Sequence, residues 1–287
     1  MGVLVNKFFT KFLPCLFLLL LLLSCEMFWS PHSPNGYILP KPQRLFLDKK
    51  VNETSGLFFL PGDSAMLTIA DDKRKIYQVK PGGAVSDYFD QDFAEQQEDF
   101  EEVVKVDETV YALVSNGTIM AIRKTDSGLH VTNYPFWSTE KNDFETLYYD
   151  PAAKGLIMVC KSCALEKGKG VRTAFRFGLD SLQFDNQPYY TMSEEDVQDI
   201  LKDGRVEFKP SAAAIHPIEK RLYILSSAGL LLVIADTKGK VQEAYRLKPN
   251  FYPQAEGIAF ASNGDMFVTN EAKYGKPSLL KITYKHK

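Results

Sequence analysis

From Gly36 onward the chain alternates short apolar runs with turn residues, the pattern of brief β-strands rather than of helices. One unit recurs: a carboxylate, a small or apolar pair, an apolar strand, an Asp/Gly/Pro turn and a second strand. It starts at Glu53, Glu101, Glu145, Ser211 (serine in place of the carboxylate) and Glu256, at intervals of 48, 44, 66 and 45 residues. A period near 45 with about four strands per unit is the signature of propeller blades. Four strands follow each of the first four starts, as LFFLP, AMLTIA, KIYQV and VSDYF do after Glu53, but only three follow Glu256. The segment Gln43–Asp48 can supply the missing strand, closing the ring and leaving no bare edge.

The expected fold is therefore all-β: a single β-propeller over residues 37–287, with five four-stranded blades closed by an N-terminal strand. The 66-residue interval leaves room for part of a sixth blade. That interval also holds one helical stretch, in which Ser193-Glu-Glu-Asp196 forms a capping pattern and VQDILKDG ends at Gly204 as a stop. It reads either as a lid over one face or as decoration of a crossover.

Ahead of the repeats, Lys7 and Lys11 precede an apolar run from Phe12 to Leu23. This is too short to span a bilayer, which takes roughly 20 apolar residues, and it reads as a secretory signal over residues 1–24. Leu22-Leu23-Ser24-Cys25 resembles a bacterial lipobox, which makes Cys25 the acylated mature terminus and residues 25–36 a tether. Met27, two places after Cys25, points to the outer membrane of a Gram-negative cell under the usual sorting rule. The net charge of −2, with no basic block, argues against nucleic acid, which needs a clustered Lys/Arg footprint.

Several motifs in this order resemble those of the SdiA-regulated family of bacterial propellers: Glu53-Thr-Ser-Gly56, Asp99-Phe-Glu101, Asn142-Asp-Phe-Glu145, Lys209-Pro-Ser211, Gln254-Ala-Glu256-Gly257 and Thr269-Asn-Glu271. Cys160-Lys161, His216-Pro217 and Tyr223-Ile-Leu-Ser226 add to the resemblance, with Ala255 and Ala213 as departures from it. The resemblance implies a propeller, a cell-envelope location and a bound cation, but no established reaction.

In a blade the innermost strand starts on the face where the second strand ends, so residues at those two registers converge on the channel mouth. The first register reads Glu53, Glu101, Glu145, Ser211 and Glu256; the second reads Asp71 or Asp72, Asn116, Lys161, Ser226, and Asn270 or Glu271. Four carboxylates around a narrow axis must be neutralised by protons, by a cation or by partners such as Lys161. Ca²⁺, which takes 6–8 oxygen ligands, suits such a ring, with Glu53, Glu101, Glu145 and Glu256 as ligands. The other readings are that each Glu braces adjoining blades through backbone N–H groups, or that the metal is catalytic.

Cys160-Lys-Ser-Cys163 is a C-x-x-C spacing without the βαβ context of a thioredoxin-like site. It is open to unpaired, disulfide, and redox or metal-binding forms. The four histidines (32, 130, 216 and 286) do not cluster, and His216 reads as structural. The acidic run from Asp90 to Glu102 reads as a solvated loop or as a guide for cations. The function these observations favour is a non-enzymatic, membrane-anchored propeller that binds a small ligand or an envelope protein. The alternative is a Ca²⁺-dependent hydrolase like the lactonase or phytase propellers.

Overall fold

A computed structural model describes residues 33–60, 62, 65–272 and 275–285. The expected signal (1–24), Cys25, His32 and His286 lie outside the described residues. The propeller has five blades. Blade one is β2 (Thr54–Leu60), β3 (Ala65–Ala70), β4 (Ile76–Val79) and β5 (Val85–Asp87). Blade two is β6 (Phe100–Val106), β7 (Thr109–Val114), β8 (Ile119–Thr125) and β9 (Gly128–Tyr134). Blade three is β10 (Phe144–Asp150), β11 (Gly155–Cys160), β12 (Val171–Gly178) and a split outer strand, β13 (Gln183–Phe184) with β14 (Tyr190–Ser193). Blade four is β15 (Ala212–Ile215), β16 (Leu222–Ser226), β17 (Leu231–Ala235) and β18 (Val241–Arg246). In blade five, β19 (Ala255–Phe260), β20 (Met266–Asn270) and β21 (Ser278–Ile282) are completed by β1 (Gln43–Phe46). β1 pairs antiparallel with β21, from Gln43 opposite Lys281 to Phe46 opposite Ser278.

The second strand of every blade is buried along its whole length. Blades stack face against face, so these strands have no solvent side and read as unbroken apolar runs. The core is accordingly not one mass but five, one at each blade–blade interface. Between blades three and four, Tyr148, Ile157 and Met192 meet Ala213, Leu222 and Ile224. Between blades five and one, Phe267 and Leu279 meet Leu57, Met66 and Tyr77.

The long interval between Glu145 and Ser211 holds no sixth blade. The loop after β11, the interruption of the outer strand and one helix, α1 (Glu194–Leu201), account for its extra length. Ser193 caps α1 as expected, its Oγ accepting from the N–H of Asp196 at 3.2 Å. The helix stops before Gly204, because Lys202 already turns into the left-handed region at φ +53°. Val197 buries one face of α1 in the interface between blades three and four, together with Tyr190, Val206 and Phe208. α1 is therefore part of a crossover and does not cover the channel.

Residues 33–36, expected as the end of a tether, are packed on the propeller. Ser33 Oγ accepts from Leu39 N at 2.9 Å, and Gly36 lies against the Tyr284 ring at φ +85°, where a Cβ would stand 2.4 Å from a ring carbon. Tyr37 then anchors the strap. His216 Nδ1 accepts the N–H groups of Ile218 (3.2 Å) and Glu219 (3.0 Å), so Nε2 carries the proton and donates to Tyr37 Oη at 2.6 Å. Tyr37 donates in turn to Gly264 O at 2.6 Å. His216, fully buried, has the structural role read from its place before Pro217.

Candidate functional site

Three of the repeat glutamates point into the channel mouth for a reason written in the ladders. In blades two, three and five the pairing of first and second strands shifts at Phe100/Glu102, Phe144/Thr146 and Ala255/Gly257. Glu101, Glu145 and Glu256 are the extra residues of these β-bulges. A bulge re-aims its side chain and bends its strand, and here it turns three carboxylates toward the axis. Blade four, which has Ser211 in place of the carboxylate, pairs from Ala212 without a shift.

Glu53 belongs to a different register from the one its motif suggested. Its carbonyl accepts the N–H of Asp71, as Asp99 O accepts from Ser115, Asp143 O from Lys161 and Gln254 O from Glu271. It is thus equivalent to Asp99, Asp143 and Gln254, two places before the bulged glutamates. Blade one has its own bulge one pair deeper, between Ser55 and Phe58.

These residues line a cavity of about 870 Å³ at the mouth of the channel: Glu53, Asp71, Asp99, Glu101, Asp143, Glu145, Glu256 and Glu271, with Lys141, Lys161, Ser115, Ser227 and Gln254 among them. In blades one, two, three and five the basin-facing residue after the second strand donates its N–H to a carbonyl ahead of the first, and in blade four Ser227 N donates to Ser211 Oγ instead. This places Asp71, Ser115, Lys161, Ser227 and Glu271 on the basin: Lys161 and Glu271 were singled out in sequence, Asp71 was one of two alternatives there, and Ser115 and Ser227 lie one position from Asn116 and Ser226. Asp72 is exposed beside Lys73. Asn116 lies in the turn after β7, where its Oδ1 accepts from Thr118 N at 2.9 Å beside Gly117 at φ +94°. Ser226 is buried, its Oγ accepting from Lys209 N at 2.9 Å. Asn270 is buried and donates to Phe251 O and Ser278 Oγ. Ser211 is buried and donates to Ala255 O at 2.9 Å, tying blade four to blade five. None of these five residues lines the basin. The repeated Asp-Phe-Glu at 99–101 and 143–145 is the signal that could have found Asp99 and Asp143, since residues two apart on a strand share a face.

The expected bracing exists, but a neighbour performs it. Glu102, fully buried, accepts the N–H of Leu57 in blade one (2.9 Å) and of Val103 (3.0 Å) on one oxygen. Burial holds its carboxyl well above the usual range and so favours the neutral acid in the fold. Glu101, one residue away, is left to the basin.

The basin carries several protons at neutral pH. Burial first, then Glu145 and Asp99, pushes Glu101 up to about 10. Burial and Glu145 raise Glu256 to about 8, even though Ser227 Oγ donates to it at 2.8 Å. Burial and Glu256 raise Glu271, which also accepts from Gln254 Nε2, to about 8. Asp71 rises to about 6 through burial and Glu53. Glu145 rises to about 7 by burial although it is paired with Lys161. Burial works against the charge of Lys161, but Glu145 outweighs it and the ammonium is held above its ordinary value. One Glu145 oxygen takes Lys161, and the other is buried without a partner.

Ca²⁺ ligated directly by carboxylates, at 2.3–2.6 Å, needs their oxygens within roughly 5 Å of one another. Among the described residues the one set of three His, Cys, Asp or Glu ligand atoms that converges within 4.8 Å is Cys160, Cys163 and Glu166, which includes none of the ring glutamates. The four ring glutamates therefore do not form a ready-made cage for a bare ion. Cys160 and Cys163 are joined as a disulfide. The acidic run from Asp90 is a fastened loop: Phe93 and Ala94 are buried, and Arg74 pairs with Asp92 and donates to Glu95 O at 2.7 Å. Among the described residues no helix is long and apolar enough to cross a membrane.

The family model described as SdiA-regulated matches residues 43–274, which takes in all five blades up to the start of β21. The chain belongs to the SdiA-regulated family. No curated protein matches it. Among solved structures, this family member is similar to the glutaminyl cyclase of Myxococcus xanthus, at 12% identity and a TM-score of 0.54 over 85% of this chain and 96% of that one. It is similar to the soluble aldose sugar dehydrogenase of Escherichia coli, at 12% identity and a TM-score of 0.53 over 85% and 100% of the two chains. It is also similar to regucalcin, a calcium-binding protein of Agrobacterium tumefaciens, at 10% identity and a TM-score of 0.51 over 88% and 96%. Identities this low establish the shared propeller and nothing of the chemistry.

Proposed function

We propose that this SdiA-regulated propeller is a binding protein of the cell envelope whose basin takes a cationic ligand. The observation that carries the reading is the row of carboxyls held protonated at the channel mouth: Glu101, Glu256 and Glu271 keep protons that a cation would displace. The volume of the basin, about 870 Å³, favours an occupant larger than a bare ion. A small organic cation, or Ca²⁺ keeping part of its water shell, fits that space and that charge. Glu53, Glu101, Glu145 and Glu256 would face it, with Glu271 and Asp71 beside them. The hydrolase alternative needs a metal fixed by converging carboxylates, and no observation favours it. Attachment through a lipid on Cys25, in the outer membrane, belongs to the same proposal and rests on the sequence alone.

The test is calorimetric titration with Ca²⁺ and with short diamines, in two buffers of different ionisation heat. Saturable binding that releases protons at pH 7, and tightens as pH rises toward 9, is the expected result. No binding by either class of cation up to millimolar concentration overturns the reading.

A further inference from the structure

The loop after β11 holds a cluster that the basin does not use. Cys160 ends β11, Cys163 opens a short 3-10 turn over Ala164–Glu166, and Glu166 closes that turn with a side chain that is 2% exposed. Its carboxylate and both sulfurs lie within 4.8 Å of one another. A tetrahedral Zn²⁺, with bonds of about 2.3 Å to sulfur and about 2.1 Å to oxygen, needs its ligand atoms roughly 3.5–3.8 Å apart. The two sulfurs now share a bond; once that bond is broken they must move apart from bonding distance to meet this spacing.

The carboxylate is already aimed. Thr173 N donates to one oxygen and Arg172 Nη1 donates to the other at 3.2 Å, while Arg172 is itself held by Glu194. The Thr173 side chain also hydrogen-bonds the carboxylate, which leaves about one of its four lone-pair sites for a metal. Outer partners of this kind orient first ligands in metal sites. A cavity of about 540 Å³, lined by Cys163, Glu166 and Arg172, opens on the cluster and gives an entry path with room for a water as fourth ligand.

We propose that Cys160, Cys163 and Glu166 form a redox-gated site for a thiophilic divalent cation such as Zn²⁺, closed as the disulfide and open once reduced. Two external thiols, or one dithiol, supply the two electrons. They leave as a disulfide while Cys160 and Cys163 become thiols. Zn²⁺ then displaces the two thiol protons and is held by two thiolates, the Glu166 carboxylate and water. The cluster suits a metal that accepts sulfur, whereas the all-oxygen basin suits hard cations.

The full chain is titrated with Co²⁺ as a spectroscopic stand-in and with Zn²⁺ against a coloured chelator, in the oxidised form and after reduction by a phosphine. The reduced chain is expected to bind one equivalent, with thiolate-to-metal charge-transfer bands and tetrahedral d–d bands that the oxidised chain lacks. Cys163→Ser removes the charge-transfer bands of the pair, and Arg172→Met weakens binding by roughly 10–100-fold. The oxidised wild type serves as a folded control that needs no substitution. Reduced chain that binds no more metal than oxidised chain, or bands that persist in Cys163→Ser, overturns the proposal.

Discussion

Glu102 offers a sharp test of how the blades are held together. Its one oxygen receives N–H groups from two blades, Leu57 at 2.9 Å and Val103 at 3.0 Å, in a fully buried place. Glu102→Ala leaves two buried donors unpaired, each costing about 1–3 kcal/mol, and opens a void besides, for a loss on the order of 3–6 kcal/mol. Glu102→Gln keeps the accepting oxygen and puts an amide where the neutral acid carries its proton, so it is expected to cost under about 1 kcal/mol. The two variants also separate by pH. The folded carboxyl titrates well above the unfolded one, so its stabilisation is complete below the unfolded value near pH 4.5 and declines as pH rises. The wild type should therefore lose stability relative to Glu102→Gln between pH 5 and pH 9. The assay is urea unfolding, comparing midpoints at constant m. A Gln variant as damaged as the Ala variant at pH 6, or a wild-type-to-Gln difference that does not move with pH, would refute the argument that this acid is neutral.

Further outcomes follow from the same geometry. Glu101, Glu256 and Glu271 have folded values raised to about 10, 8 and 8, so the native state holds protons that the unfolded chain gives up. Thermal stability should fall as pH climbs from 5 to 9, by about 1.4 kcal/mol per pH unit for each group while it differs between the two states. Melts of Glu256→Gln should show a shallower fall, and an equal slope would contradict the assignment. Gly257 packs against the backbone of blade one: a Cβ there would lie 2.7 Å from the Gly56 backbone and 2.3 Å from Thr269 Oγ1. Gly257→Ala is expected to cost about 2 kcal/mol or more in the unfolding midpoint, and a neutral effect would mean the two backbones part easily. His216→Leu leaves two backbone donors and the Tyr37 hydroxyl without their partner, for a loss of about 2–4 kcal/mol in chemical denaturation. A variant as stable as the wild type would show that the strap does not depend on this contact.

How much of this was legible in the chain depended on which force fixed each feature. The blades could be counted because second strands such as Ala65–Ala70 and Gly155–Cys160 are apolar throughout, a consequence of burial on both faces that appears directly in residue type. The closing role of Gln43–Phe46 followed from the missing strand in the last repeat. The site was legible only to within about one residue. Glu101, Glu145 and Glu256 face the basin through β-bulges, and a bulge is set by pairing between strands rather than by residue type. For the same reason Asn116 and Ser226 looked like basin residues while Ser115 and Ser227 are the ones placed there, Asn270 and Glu271 could not be told apart, and Glu53 seemed to share a register with Glu101. The brace made by Glu102 was invisible, because its partner Leu57 lies 45 positions away in another blade.

The last blade draws its four strands from both ends of the propeller, β1 from residues 43–46 and β21 from residues 278–282. A chain made from its N-terminus must therefore carry β1 through nearly the whole of synthesis with no strand to bind. The other four blades can assemble in order, each from contiguous sequence, but the circle cannot shut until β21 is delivered. Until then the growing polypeptide exposes the unpaired β1 beside the open face of blade one at one end and the open face of blade four at the other, and both are invitations to mispair. Clipping between β1 and β2, around residues 47–53, in the finished molecule would leave β1 held by its pairing with β21 alone, and its loss would bare the β21 edge of blade five.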